Sequence, residues 1–514
     1  MKNLNDSNML KDTVSVTFLL ILSSVLGFIA QISLVSSFGA SVEMDVYFKL
    51  LAVPTIITGI TPMIFSSVLI PTFAKFKSDL SKIIKFIDSI WMFIMILAIF
   101  FSLIGFSIFY INIDLFVPKS HHYLNDIAIQ VSLMIWIGSG FSIMSSFMAA
   151  ILNYNKQFYK VVWTSLFPPF FIITFVLFFH EKLGIRSISL GFCIAFILQF
   201  IVFLKASKVS LNFSSFNIKN IQHKRLLLKQ SFLVVMSLLP FTILVPIAYF
   251  WANQLEKGSI SYLGYSQSFA GFLSVTVGMG ITIVSFPDLA DKFAKGNGVS
   301  SLYKFEQKLR YVLLIAMFAA GAFISLRIPI LTLLYQRGSF NAESVNNLAS
   351  VLPWYLIAGI FVAGLNLLRT LFYSKGEFKV IAILGLIMPV LFFVLSGILK
   401  EKFSYVGIGI ANTITFAVLF CMSVFLLKNK KAGFLSYDFV FFSLKIIFIT
   451  IISSFITVLS FKFISNLTFE IVSIFICLFL FSIVYFFCSK FIFQLQEIEK
   501  IKFILLNKIK FLNR

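Results

Sequence analysis

Two charged residues beside a long apolar stretch are the first candidates for chemistry in this sequence. Asp45 and Lys49 lie four residues apart, and the run that follows, residues 50–74, contains no charged residue. On a helix this spacing places both side chains on one face, where they can pair with each other or bind a charged ligand. An ionisable side chain within a bilayer costs roughly 2.5–3.5 kcal/mol, which favours a functional role. A simple surface pair at the helix end is the alternative.

A second candidate is a cluster of polar side chains that follows KGSIS near the middle of the chain. It contains Tyr262, Tyr265, Gln267 and Ser268. Hydroxyl and amide groups of this kind can hydrogen-bond a saccharide. Tyrosine is also common at membrane–water interfaces, so an anchoring role for the two tyrosines stays open.

Enzyme chemistry is not indicated by the remaining residues. His121 and His122 are adjacent, so on a helix they do not face one way, and a solvated turn is favoured over a metal site. The sequence has no GxxxxGK[ST] phosphate loop. The connections between apolar runs are too short to carry a catalytic set. We therefore predict no catalytic residue, no metal and no cofactor.

The composition is that of a protein that crosses a membrane many times. Hydrophobic residues make up 59% of the chain and charged residues only 12%, against about 25% charged residues in soluble domains; the mean hydropathy is +0.99. Charged residues separate fourteen apolar runs of near spanning length, the eighth at 258–287. The sequence therefore predicts an all-α polytopic membrane protein with about 14 transmembrane helices.

The positive charge is distributed unevenly between the gaps that separate these runs. The net charge is +22, with 30 Lys and Arg residues in the even-numbered gaps and the termini and 8 in the odd-numbered gaps. By the positive-inside rule, this asymmetry places both termini in the cytoplasm. The basic clusters then contact anionic membrane lipids, and nucleic acid is not expected as a partner.

The second half of the chain repeats the sequence pattern of the first. Pro71 and Pro287 lie near the ends of the second and eighth runs and are 216 positions apart, and Lys156 and Lys375 follow the fourth and tenth runs at a separation of 219. Because six helices restore the same topology, the echo predicts two pseudo-symmetric six-helix lobes. The predicted domains are an N-terminal lobe at 1–205, a cytoplasmic linker at 206–229, a C-terminal lobe at 230–428, helices 13 and 14 at 429–494, and a basic amphipathic cytoplasmic tail at 495–514.

Several motifs, taken in order, carry a resemblance to a known family. They are SSVLGFIAQISLVSSFGAS followed by D-x-YFKL, then LIPTFAKFK, GSISYLGYSQS, GMGITIVSFPDLADKF and LYQRGSFNAES. In this order they resemble the MurJ/MviN lipid II flippases of the multidrug/oligosaccharidyl-lipid/polysaccharide exporter superfamily. The resemblance implies a flippase in the bacterial cytoplasmic (inner) membrane that moves a polyprenyl-diphosphate-linked saccharide to the outer leaflet by alternating access, working as a monomer.

The resemblance also implies where the cargo binds and where this chain departs from the family. The implied contacts are Asp45, Lys49, Ser24, Gln31, Tyr265 and Gln267. Basic residues expected for holding a diphosphate are replaced at Ser24, at Ala30 and at 56–59, and an acid–arginine pair is replaced by Gln267-Ser268. These losses keep four alternatives open: export of a surface-polysaccharide repeat unit, drug or cation antiport, a membrane enzyme of glycan assembly, and an inactive relative.

Overall fold

Helices make up the regular structure in the part of the chain that is described. The structure is a computed structural model that describes residues 2–75, 80–207, 224–272, 298–374, 377–428, 437–495 and 497. The α-helices are α1 (Lys2–Phe38), α2 (Val42–Lys75), α3 (Leu80–Ile111), α4 (Ile113–Phe116), α5 (Asn125–Tyr154), α6 (Phe158–Trp163), α7 (Phe167–Leu183), α8 (Arg186–Ser207), α9 (Lys224–Thr242), α10 (Leu244–Ala252), α11 (259–272), α12 (Gly298–Ser325), α13 (Arg327–Tyr335), α14 (Ala342–Ser374), α15 (Phe378–Lys428), α16 (Tyr437–Ile464) and α17 (Glu470–Phe487). Short 3-10 turns cover Lys119–Leu124 and Thr164–Leu166, and a π-turn covers Cys488–Ile492.

The all-α polytopic class predicted from the sequence is confirmed. Within the described residues, 12 helical segments are long and apolar enough to cross a membrane. One of them, Lys379–Leu427, is 49 residues long and bends at Ser404, so it contains two of the predicted spans. The predicted eighth span begins as α11 and passes beyond the described residues after 272.

Several predicted features fall outside the described residues. Among them are Pro287, Lys375, most of the predicted linker at 206–229 and most of the predicted tail at 495–514.

The chain divides into two compact units. Unit 1 contains Met1–Ser261 together with Gly338–Phe340, and unit 2 contains Tyr262–Arg337 and Asn341–Arg514. In unit 1 the core lies between α3, α5 and α8. Its centre is Trp91, whose ring stacks on Phe200 at 5.9 Å and packs on Phe147. Large aromatic side chains on α3, α5 and α8 thus form a core against which α2 packs.

In unit 2 the final helices pack against α12. The Tyr485 hydroxyl of α17 donates to the Leu314 carbonyl of α12 at 2.9 Å. Near the middle of α12, the Arg310 guanidinium bonds Glu306 at 2.6 Å and Glu497 at 3.1 Å. Because Glu497 follows α17, this ion-pair network ties the end of the described chain to α12.

Two turns, one in each half of the chain, adopt the same unusual backbone conformation. Gly184, between α7 and α8, has φ 56° and ψ −140°, and Ser404, at the bend of α15, has φ 52° and ψ −140°. Pro169 precedes the first turn by the same number of positions as Pro389 precedes the second. A residue with a side chain is strained in this region of φ and ψ, and glycine is not. The same bend is thus built with glycine in one half and with serine in the other.

Exchanging the residues at these turns tests the strain. Ser404→Gly should raise the free energy of unfolding by about 1 kcal/mol, and Gly184→Ser should lower it by about 1–3 kcal/mol. No atom lies within 4 Å of a Cβ added at Gly184, so the expected loss there comes from the backbone alone. Thermal unfolding in detergent, followed by circular dichroism, measures both changes.

Ser350→Gly is the matched control, because Ser350 is an exposed serine within α14. Glycine in a helix interior lowers stability by roughly 0.5–1 kcal/mol, which is the opposite sign. A loss of stability in Ser404→Gly as large as in Ser350→Gly would contradict the proposed strain.

Candidate functional site

The candidate site begins at the first turn of α2. Ser41 caps this helix, since its hydroxyl accepts a hydrogen bond from the Met44 N–H at 3.2 Å. The cap fixes where the helix starts, and Asp45 and Lys49 therefore lie on its first two turns, on one face. Phe48 packs on Tyr249 of α10 with ring centroids 6.1 Å apart, which holds this face against the end of α10.

Asp45 supplies hydrogen-bond acceptors to the beginning of α11. Its carboxylate accepts from the Gly258 N–H at 2.7 Å, from the Ser261 N–H at 2.7 Å and from the Ser261 hydroxyl at 2.5 Å. The first N–H groups of a helix lack partners within the helix, and Gly258, directly before α11, has no side chain to accept from them. A carboxylate from a distant part of the chain thus caps this helix.

Lys49 binds the other end of the turn that joins α10 to α11. Its ammonium donates to the Asn253 side-chain oxygen, directly after α10, at 2.8 Å. Both charged side chains are only 8% exposed, which excludes the alternative of a plain surface pair. Among the described residues, each charged group bonds to the turn 253–261 and not to the other. We call Asp45, Lys49, Asn253, Gly258 and Ser261 the α2 clamp.

Buried charges make the α2 clamp dependent on its partners. A carboxylate removed from water is stable only when hydrogen bonds replace its hydration, and Asp45 has three such bonds. Lys49 adds a compensating positive charge one turn away. Loss of one partner leaves an uncompensated buried group, so the clamp fixes the geometry of the turn between α10 and α11 strongly.

The predicted residues of α1 share one face of that helix. Ser24 and Gln31 are seven residues apart, which is two helical turns. The Ser24 hydroxyl donates to the Leu20 carbonyl at 2.9 Å. Gln31 is 8% exposed, and its side-chain nitrogen has no hydrogen-bond partner among the described residues. The amide nitrogen of Gln31 is therefore a buried donor that has no partner among the described residues.

The two predicted residues of α11 are not brought together. Tyr265 is fully buried, whereas Gln267 is exposed. A separation of two residues places side chains on different faces of a helix, so a single ligand does not contact both from one side. Tyr262 instead joins other residues of unit 2: its hydroxyl lies 3.3 Å from the Asn347 amide nitrogen, and its ring lies 5.4 Å from that of Tyr405.

The partners of the charged pair were not identified from the sequence. Asn253 and Ser261 follow from no local pattern around Asp45, because they lie in a different part of the chain. One signal was present: the glycine and serines of KGSIS are typical of a helix start. Pairing this helix start with the charge at Asp45 would have predicted that Asp45 caps α11.

The adjacent His121 and His122 lie in the turn before α5, and no cluster of three or more potential metal ligands occurs among the described residues.

Comparisons with known proteins agree over most of the chain. The model of the family MurJ, described as "Lipid II flippase MurJ", matches residues 34–480. The chain is 27% identical over 379 residues to "Probable lipid II flippase MurJ" of Buchnera aphidicola subsp. Acyrthosiphon pisum, covering 69% of this chain and 72% of that relative. It is also 27% identical over 192 residues to "Lipid II flippase MurJ" of Thermosipho africanus, covering 36% of this chain and 38% of that relative.

Solved structures share the fold. "Lipid II flippase MurJ, inward closed conformation" matches with a TM-score of 0.78 at 21% identity, covering 94% of this chain and 99% of that chain. An inward-facing multidrug resistance transporter of the MATE family, in the MOP superfamily, matches with a TM-score of 0.58 at 17% identity, covering 80% of this chain and 96% of that chain. At these identities the likeness concerns the fold.

Disrupting the α2 clamp should lower stability. Asp45→Asn should reduce the free energy of unfolding by about 1–3 kcal/mol, because the amide keeps only one of the two oxygens that accept from Gly258 and Ser261. Ser261→Ala should cost about 1 kcal/mol, and the double variant should cost less than the two losses combined, since the residues share a hydrogen bond. Unfolding by heat or SDS in mixed micelles measures these values.

Ser268→Ala provides the control on the same helix. Its hydroxyl donates to the Gly264 carbonyl of α11 itself and takes no part in the clamp, so its loss should stay within about 0.5 kcal/mol. An Asp45→Asn variant as stable as Ser268→Ala would show that the clamp does not hold this turn.

Proposed function

The chain belongs to the MurJ family of lipid II flippases, and we propose that it carries lipid II from the inner to the outer leaflet of the bacterial cytoplasmic membrane by alternating access. The observation that carries this function is the family match over residues 34–480, which includes residues of both units. The protein is a multi-pass membrane protein, and lipid II and membrane lipids are its partners. Members of this family are transporters, so the side chains of this protein are not required to break a covalent bond.

The other functions left open by the sequence are not favoured. The relatives named above are described as lipid II flippases and not as exporters of another saccharide. The MATE transporter shares the fold at 17% identity, and a shared fold does not transfer its cargo. An antiporter for drugs or cations would also be expected to carry an acid deep within a span. Asp45 instead lies on the first turn of α2, and its carboxylate already accepts a hydrogen bond from the start of α11.

The cargo contacts proposed here use neutral and positive groups. Lipid II offers a diphosphate and a saccharide, both rich in hydrogen-bond acceptors. The Gln31 amide nitrogen is buried and has no partner among the described residues. It therefore donates to cargo only when α1 changes its packing, and Ser24 lies on the same face of α1. Lys49 supplies a positive charge for the diphosphate. Its ammonium releases the Asn253 side-chain oxygen and binds the diphosphate in its place. Asp45 then keeps α11 in place during that exchange.

Tyr265 and Gln267 contribute in different ways in this proposal. Gln267, being exposed, is able to bind a saccharide hydroxyl directly. Tyr265 is fully buried, so it reaches cargo only when α11 changes its packing. The two residues therefore act at different stages of transport.

The proposed architecture follows the repeat in the sequence. Two six-helix lobes at 1–205 and 230–428 are joined by the linker at 206–229 and followed by the final helix pair. The equivalent bends at Gly184 and Ser404 support this repeat, since each follows a proline at the same spacing. Both termini lie in the cytoplasm by the distribution of Lys and Arg, and a single chain forms the whole pathway, so the protein works as a monomer.

Complementation tests this function in cells. When the essential lipid II flippase of a bacterial host is depleted, expression of this chain should restore growth and cell-wall synthesis. Asp45→Ala and Lys49→Ala should each reduce rescue by about tenfold or more, because each removes buried bonds of the clamp. Membrane levels on immunoblots should stay equal to those of the wild type.

Glu401→Ala is the matched control, because Glu401 belongs to an i, i+1 pair with Lys400 and its side chain is 72% exposed. It should rescue as the wild type does. Wild-type protein that inserts normally and fails to restore growth would contradict transport of lipid II. Full rescue by both clamp variants would remove Asp45 and Lys49 from the transport site.

A further inference from the structure

A short segment between α13 and α14 leaves its own unit. The chain on either side, up to Arg337 and from Asn341, belongs to unit 2, whereas Gly338–Phe340 belongs to unit 1. The segment lies within LYQRGSFNAES, one of the motifs that carry the family resemblance. The contacts of Gly338–Phe340 with α1 explain why the segment belongs to unit 1.

Ser339 caps the C-terminus of α1. Its N–H donates to the Ser36 carbonyl at 3.0 Å, and its hydroxyl donates to the Ser37 carbonyl at 3.1 Å. Both carbonyls belong to the last turn of α1, where a helix has no N–H groups of its own to offer. The Gly39 N–H satisfies a third carbonyl, that of Val35, at 2.9 Å. The end of α1 is thus completed by a residue 302 positions away.

The residues beside Ser339 are suited to this contact. Gly338 has φ 52°, and a Cβ at this position would collide with the Ser36 carbonyl oxygen, so only glycine fits. Phe340 is 1% exposed, although the four residues before it are exposed. The segment therefore consists of a buried aromatic side chain and two hydrogen bonds that lie near the surface.

We propose that Gly338–Phe340 is a releasable strap that positions α1 and must leave it once in every transport cycle. The proposal rests on the proposed function, because α1 carries Ser24 and Gln31. Alternating access requires helices of the two units to rearrange, and the strap is covalently continuous with α13 and α14 of unit 2. Movement of those helices pulls the strap from α1, and the last carbonyls of α1 then lose their donors. Ser339 is a positioning residue and does not itself contact cargo.

A reversible cross-link tests the strap. In a functional variant without the four native cysteines, Ser37→Cys and Ser339→Cys are introduced together. Oxidation should lower lipid II translocation in proteoliposomes to that of protein-free liposomes, and reduction should restore it. A merely structural contact would be unaffected by being locked. Translocation at the same rate before and after complete oxidation would overturn the proposal.

A second pair controls for the chemistry of oxidation. Thr468→Cys and Ser473→Cys replace two hydroxyls 2.8 Å apart at the start of α17, within unit 2. Oxidation of this pair should leave translocation unchanged. If the reduced strap variant and the wild type both fail to move lipid II, the proposed function fails. If both move it and the oxidised strap variant does too, only the strap fails.

Hydrogen exchange on the wild-type protein keeps the proposal testable even where the disulfide does not form. The Ser339 N–H is protected by the Ser36 carbonyl, so its exchange requires release of the strap. In proteoliposomes with lipid II, exchange in the peptide covering 336–341 should accelerate relative to proteoliposomes without it. Unchanged exchange during active translocation would contradict release.

Discussion

The ends of membrane helices need hydrogen-bond partners, and the candidate site depends on how this chain provides them. A helix leaves its first N–H groups and its last carbonyls without partners, and in this chain protein groups bind those at the start of α11 and at the end of α1. Asp45 supplies acceptors to α11, and Ser339 supplies donors to α1. In both cases the cap comes from a distant part of the chain. The positions of α1, α2 and α11 are thus set by a few specific polar contacts as well as by apolar packing.

This arrangement has a consequence for movement. A hydrogen-bonded helix cap is either formed or broken, and packed side chains likewise have discrete arrangements. Helix ends that are held by caps therefore favour discrete states, which is what alternation between two openings requires. Ala30, where the resemblance implies a basic residue, is buried. A buried cation without a partner is costly, so a neutral side chain at this position favours the folded protein.

The sequence predicted the fold well because the signal was local. Long apolar runs and the spacing of charged residues are enough to place spanning helices, and the bend at Ser404 matches a short charged interval, Lys400 to Lys402. Asp45 and Lys49 were also identified, since a charge beside an apolar span is conspicuous. Their partners were not, because contacts between distant parts of the chain leave no local pattern. The motif around Gly338 was among those that carry the resemblance, but its contact with α1 depends on tertiary structure. Tyr265 and Gln267 were grouped by proximity in sequence, and helical geometry separates them.

Translocation of lipid II by the purified chain is the most direct test of this account. The protein is reconstituted into liposomes with lipid II in both leaflets, and a membrane-impermeant enzyme outside the liposomes modifies the saccharide that it can reach. We predict that lipid II from the inner leaflet becomes accessible in liposomes with the wild-type protein, and that Asp45→Asn slows this step. Inner-leaflet lipid II that stays protected, as in protein-free liposomes, would contradict the account.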